Sequence, residues 1–187
     1  MRAPFAMAIL LCAAGPAARA GEPALTLGGH DKWVTAVAFT PDGKWAITGS
    51  YDGFVRVWDM KSGEVRRTFE SENETNTIRA MTVSADGTLV ATGGADSVIR
   101  LWDFHSGIEM RTFTGHRDAI SGLALSRNLK LLVSSGYDSS ARMWAVEQGV
   151  EIRRFDAGGA IGAVALSPDL RWLAVANADR TITVHPL

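Results

Sequence analysis

The chain has 187 residues, a formal net charge of −1, 47% hydrophobic and 21% charged residues, and one cysteine. These values exclude a collagen-like, disordered or strongly basic chain, and the weak negative charge argues against binding nucleic acid through phosphate neutralisation. The lone Cys12 excludes an internal disulfide framework, a four-cysteine zinc site and a Cys-x-x-Cys-His haem attachment.

Residues 1–20 read as a secretory signal peptide. Arg2 supplies the charged start, Phe5 to Ala14 the apolar run, and Ala18-Arg19-Ala20 the small-x-small cleavage site before Gly21. A lipid anchor on Cys12 is disfavoured by bulky Leu11 before it. Cleavage after Ala20 leaves 167 residues with 17 basic against 20 acidic side chains, and no cysteine. Such a chain has packing and strand pairing, not disulfides, to hold it. Past this segment no apolar run approaches the ~20 residues of a membrane-spanning helix.

From residue 21 onward, one unit is written four times. In the first unit the runs WVTAVAF (33–39), WAITGS (45–50), FVRVW (54–58) and EVRRTF (64–69) are short and rich in β-branched and aromatic residues. Pro41-Asp42-Gly43, Asp52-Gly53 and Ser62-Gly63 separate them with turn chemistry. The segments 46–59, 90–103, 132–145 and 173–186 align without gaps. Each has Asp at its seventh place (Asp52, Asp96, Asp138, Asp179), and six residues later stand Trp58, Trp102, Trp144 and His185. The steps of that last column are 44, 42 and 41 residues. A period of this length means one supersecondary unit per repeat. Four short antiparallel strands per unit predict an all-β propeller blade, with blades at about 31–70, 75–114, 117–156 and 158–187. No second domain is expected.

Gly29-His30 and Gly115-His116 ahead of the units, with Trp58-Asp59 and Trp102-Asp103 at the ends of third strands, resemble the WD-repeat β-propeller family. The resemblance covers residues 22–187. It implies function by surface contact, usually without catalysis, and no cofactor is expected. It also implies a buried relay per blade, from the Trp indole through a Ser or Thr hydroxyl and the Gly-His imidazole to the turn Asp. The matching residues are His30, Thr48, Asp52 and Trp58, then Thr92, Asp96 and Trp102, then His116, Ser134, Asp138 and Trp144. The second unit has Glu74 in the histidine's place. The fourth keeps only Asp179, with Ala157, Val175 and His185 elsewhere, and is expected to be the least stable blade. Buried indole and imidazole N–H groups need such partners, and a charged acceptor gives the stronger bond.

A Ser/Thr, His and Asp set also fits a hydrolase. Against that, the set recurs in more than one blade, and no Gly-x-Ser-x-Gly elbow is present. His30, His105, His116 and His185 fall in different units, so no metal-ligand pair forms. A sensor or electron-transfer accessory half-propeller, acting with a fused or neighbouring chain, stays open.

Three outer strands close blades one to three: 64–69, 108–113 and 150–155. None follows His185, but Ala24–Leu27 (ALTL) stands at the outer-strand place before Gly29-His30. It is expected to pair with 181–185 and complete the last blade, hiding sheet edges. Four blades closing a ring turn about 90° each, against roughly 45–50° in seven- or eight-blade rings. Three arrangements follow: a homodimer forming one eight-blade ring, a fragment or half of a larger assembly, or a compact four-blade monomer. The family's rim places fall here on Trp33, Thr35 and Tyr51, on Thr77, Arg79 and Ala95, on Ala119, Ser121 and Tyr137, and on Ala160, Gly162 and Ala178. Trp33, Tyr51, Arg79 and Tyr137 are the expected contact residues, because Trp, Tyr and Arg dominate interface energies. The whole reads as a periplasmic or secreted interaction scaffold with a protein partner, no nucleic acid and no membrane span.

Overall fold

The computed structural model describes residues 23–70 and 77–187, so the leader read at 1–20 and Glu74 lie outside the described residues. The described part is all-β: fifteen strands in four antiparallel sheets. The first sheet runs β1 (Val34–Phe39), β2 (Trp45–Ser50), β3 (Phe54–Asp59), β4 (Val65–Glu70). The second is β5 (Ile78–Val83), β6 (Leu89–Gly94), β7 (Ile99–Asp103), β8 (Glu109–Phe113), and the third β9 (Ile120–Leu125), β10 (Leu131–Gly136), β11 (Ser140–Ala145), β12 (Val150–Asp156). The fourth has three strands: β13 (Ile161–Leu166), β14 (Trp172–Asn177) and β15 (Ile182–Pro186).

Register repeats with the sequence. Val55 pairs Phe69, Ile99 pairs Phe113 and Ala141 pairs Phe155 on successive third and fourth strands. The turns repeat too. Asp42, Asp86, Asn128 and Asp169 each accept from a hydroxyl two residues back and an amide two residues on, fixing the link between first and second strands. The next residue in that turn has positive φ. Gly43 and Gly87 fill it in the first two sheets, but Leu129 (φ 59°) and Leu170 (φ 58°) fill it in the others. Side chains in that region are crowded against their own backbone, so those two turns carry strain.

The core lies between sheets. Ile47, Val55, Val57 and Phe69 of the first meet Ile78, Met81 and Val83 of the second, and like clusters join the second to the third and the third to the fourth. Each fully buried Ile or Leu contributes about 1.5–3 kcal/mol. Gly49 and Gly93 permit the approach: a Cβ there would lie 2.5 Å from Cγ2 of Ile78 and of Ile120.

The expected fourth strand of the last sheet is a correction. Residues 24–27 take no strand and do not pair with β15. Leu25 instead packs at the β3–β4 turn, where a Cβ on Gly63 would be 3.1 Å from its Cδ1. The physical reason is placement. The segment is tied to the first sheet, whose outward face stays open, with Val37 74% and Phe39 63% exposed. Ile182 on β15 is likewise 72% exposed.

Candidate functional site

The relay residues sit where strand register puts them. In the first sheet Trp58 Nε1 donates to Thr48 Oγ1 at 2.8 Å, and Thr48 lies 2.7 Å from His30 Nε2. His30 Nδ1 lies 2.9 Å from Asp52. Asp52 also accepts the amides of Asp31 and Phe54 and the Arg56 guanidinium at 2.8 Å. In the third sheet Trp144 Nε1 donates to Ser134 Oγ at 2.8 Å, Ser134 is 2.7 Å from His116 Nε2, and His116 Nδ1 is 3.0 Å from both oxygens of Asp138. The second sheet has Trp102 on Thr92 at 2.8 Å and an Arg100–Asp96 ion pair at 2.7 Å. In the fourth, exposed Asp179 accepts the amide and hydroxyl of Thr181, and His185 stacks obliquely on Phe155.

Since the indole N–H can only donate, each hydroxyl accepts from Trp and donates to His Nε2, leaving the imidazole N–H on Nδ1 facing Asp. Burial chiefly pushes the His116 pKa below its usual value, which suits this neutral tautomer. Burial also pushes Asp138 upward, but the Arg117 amide, the Ser140 hydroxyl and His116 outweigh it and bring it down to about 2. Asp52 is held further down, as Arg56 and His30 overcome its own burial.

Sequence reasoning missed the arginines. Arg56, Arg100 and Arg142 each stand four residues after the turn Asp and ion-pair with it. Glu109 and Glu151 brace the latter two from the outer strand. The signal was in the aligned columns: Asp-x-x-x-Arg recurs three times, and Thr183 fills the place in the fourth.

Ser134, His116 and Asp138 also have the spacing of a nucleophile, a base and its orienting acid. Ser134 is fully buried, however, and its oxygen already takes the Trp144 proton. No substrate carbon can reach it. Among the described residues no group of three or more His, Cys, Asp or Glu side chains could hold a metal, and no helix is long and apolar enough to cross a membrane.

The rim residues come from three sheets and form one row. Trp33, just before β1, stacks on Tyr51, just after β2, with centroids 6.4 Å apart and planes 17° apart. Tyr51 N–H donates to Trp33 O at 2.9 Å, which fixes the pair. The Arg79 guanidinium on β5 lies 5.2 Å from the Tyr51 ring and 5.8 Å from the Tyr137 ring. A cation between two ring faces is held by their negative centres, at about 0.5–2 kcal/mol per contact. Arg79 Nε is buried without a hydrogen-bond partner among the described residues, while Trp33 is 79% and Tyr137 46% exposed. Thr35 and Ser121 are committed inward: their hydroxyls donate to the Ile78 and Ile161 carbonyls of the next sheets, both at 2.5 Å. The fourth sheet offers only Ala160, Gly162 and Ala178, so the row is one-sided.

The family described as "WD domain, G-beta repeat" matches residues 21–59, 63–103, 107–145 and 149–185. Among curated proteins, the target of rapamycin complex subunit wat1 of Schizosaccharomyces pombe is 45% identical over 56 residues, 30% of this chain and 18% of that protein. The LST8 homolog of Dictyostelium discoideum is 42% identical over 57 residues, covering 30% of this chain and 19% of its own. Among solved structures, U3-55K superposes with a TM-score of 0.73 at 26% identity, over 86% of this chain and 54% of that one. The RRP9 WD40 repeats superpose with a TM-score of 0.72 at 25% identity, over 86% and 53%. The chain thus spans under a fifth of these curated relatives and about half of these structures.

Proposed function

We infer the function from one premise: the chain belongs to the WD-repeat family. It is a non-enzymatic protein–protein interaction scaffold, and its contact surface is the row Trp33, Tyr51, Arg79, Tyr137. The observation that carries this reading is the continuity of the row, in which three aromatic rings and a guanidinium from three sheets adjoin, with Trp33 and Tyr137 exposed and Tyr51 and Arg79 half-buried. Trp and Tyr bury much area with few rotors to freeze, and Arg adds a charged, planar contact. The Arg79 guanidinium carries a fixed positive charge between the two tyrosine rings, so the partner presents a carboxylate or main-chain carbonyl there. The burial of Ser134 supports binding over hydrolysis, and the name of the fission-yeast relative, a complex subunit, supports the same class.

The compartment is an exported one, periplasmic or secreted. Arg2, the apolar run 5–14 and Ala18-Arg19-Ala20 support it. Sequencing the N-terminus of the protein recovered from outside the cytoplasm should start at Gly21. An intact Met1 would remove the exported reading and leave the contact surface untouched.

The test of the surface is the double variant Trp33→Ala with Tyr51→Ala. It abolishes cross-linking to the partner in the host's own extract while the melting temperature stays within a few degrees of the parent. A large loss of stability assigns both rings to packing and overturns the reading.

A further inference from the structure

We propose that the fourth sheet holds a binding site for a guanidinium group, in the hollow between the 156–158 loop and the β14–β15 turn, with Asp179 as its counter-ion.

The hollow stands where the other sheets carry a filled relay. There the turn Asp uses its two oxygens differently. Oδ1 takes the amide two residues on, from Phe54, Val98 and Ser140. Oδ2 faces the arginine four residues on: Arg56 at 2.8 Å, Arg100 at 2.7 Å and Arg142 at 3.6 Å. In the fourth sheet Asp179 Oδ1 takes the amide and the hydroxyl of Thr181, at 2.9 and 2.6 Å. Thr183 holds the arginine's place, and among the described residues no cation pairs with Asp179. The Thr181 hydroxyl and amide hold the Asp179 pKa below the usual carboxylate range, so the group is ionised at neutral pH.

Space opens beside that charge. Trp144, Arg142 and His116 occupy the third sheet's relay at 1%, 5% and 7% exposure. Their counterparts are His185, Thr183 and Ala157, each of them smaller. Here lies a cavity of about 190 Å³, with Phe155, Val175 and His185 on its inner side and Asp156, Asp179 and Thr183 toward solvent. A cavity of roughly 150 Å³ admits a benzene ring, so a guanidinium and its first methylenes fit. The exchanges lie between residues 157 and 185 and owe nothing to either end of the chain.

The lining selects the ligand. It contains two carboxylates and no lysine or arginine. Arg153 and Arg154 are engaged elsewhere, on the Pro186 carbonyl and on Asp156. In the third sheet Ser140 donates to Asp138 and accepts from Arg142 Nε. Thr181 stands in Ser140's place and makes the same bond to Asp179. Its oxygen accepts from the Asn177 amide at 3.1 Å and keeps a second lone pair for the ligand. A planar fork matches a carboxylate oxygen beside a hydroxyl, and its face suits an aromatic wall such as His185. An ammonium group is a strongly hydrated point charge with neither property. The group can come from an arginine of a partner protein or from a small free solute. The site is separate from the row of Trp33, Tyr51, Arg79 and Tyr137 and does not depend on it.

The probe is N-acetyl-arginine methylamide, titrated into the full chain and followed by heteronuclear NMR. The amides of Ala157, Thr181 and Thr183 should shift and saturate, while those of Thr48 and Ser134 stay in place. The citrulline analogue, which lacks the charge, and the lysine analogue should each bind at least about tenfold more weakly. Asp179→Asn keeps Oδ1 for Thr181 and should lower affinity by about tenfold or more. Thr183→Arg gives the chain its own guanidinium at this place, as in the other three sheets, and should abolish the shifts with a melting temperature no lower than the parent's. Agmatine separates the sources. If it binds more tightly than the blocked arginine, the site serves a small solute; the reverse order assigns it to a partner's side chain. No saturable shift, equal binding of the citrulline or lysine analogue, or binding that survives Asp179→Asn or Thr183→Arg overturns the proposal.

Discussion

Replacing Ser134 by Ala removes one oxygen and strands two groups. Ser134 is fully buried, Trp144 is 1% exposed and His116 is 7% exposed. The indole N–H at 2.8 Å loses its acceptor and His116 Nε2 at 2.7 Å loses its donor, in a space closed to water. A buried polar group left unpaired costs about 1–3 kcal/mol, so the variant should lose roughly 2–5 kcal/mol of folding stability. With a urea slope of about 2 kcal/mol/M, the unfolding midpoint falls by roughly 1–2.5 M. The assay is urea unfolding followed by tryptophan fluorescence and by far-ultraviolet dichroism, whose curves should coincide. Two controls bracket the result. Ser134→Thr keeps the oxygen, as Thr48 and Thr92 do in the other sheets, and should stay within ~1 kcal/mol after accommodating one methyl group. Thr181→Ala cuts an exposed turn bond of the same length class and should cost under ~1 kcal/mol. If Ser134→Ala falls no further than Thr181→Ala, the relay does not stabilise the sheet and the argument is wrong.

Acid should act in two stages. The folded-state pKa of His116 lies below 6.5, so the unfolded chain binds more protons and stability drops as pH falls from that value. A second loss follows below 3.8 as pH falls toward the Asp138 value of about 2. A urea midpoint that is flat between pH 7 and 5 would contradict the first stage. Leu170→Gly should raise the melting temperature slightly, by up to about 1 kcal/mol of relieved turn strain, whereas Gly43→Leu in the same turn of the first sheet should lower it. Gly93→Ala should cost about 1–3 kcal/mol, because its Cβ would meet Ile120 at 2.5 Å, while Gly162→Ala, with its nearest neighbour at 3.9 Å, should be nearly silent in thermal unfolding.

Much of the fold was written in the columns. Apart from 24–27, strand positions agree within a residue, because Asp42, Asp86, Asn128 and Asp169 each close a turn by local hydrogen bonds that need nothing from elsewhere. The Trp–hydroxyl–His–Asp spacing was legible for the same reason: register is a count along two adjoining strands. What escaped was set between sheets. That Thr35 and Ser121 turn to the neighbouring carbonyls depends on how closely Gly49 and Gly122 let the next strand come, which no single repeat records. That 24–27 sits beside the first sheet rather than along β15 depends on which faces find a neighbour at all. The Arg column was legible and overlooked, since Arg56, Arg100 and Arg142 resemble ordinary surface charges until the Asp four places back is counted.

The six indoles sort themselves by solvent. Trp58, Trp102 and Trp144 are sealed beneath the relays, Trp45 is half covered, and Trp33 and Trp172 face outward. A collisional quencher such as acrylamide will therefore reach the last two first and leave a blue-emitting interior signal behind. Trp33 marks one end of the aromatic row and Trp172 stands on the open fourth sheet, so the emission colour of the quenchable fraction gives a label-free readout of which outer surface is occupied.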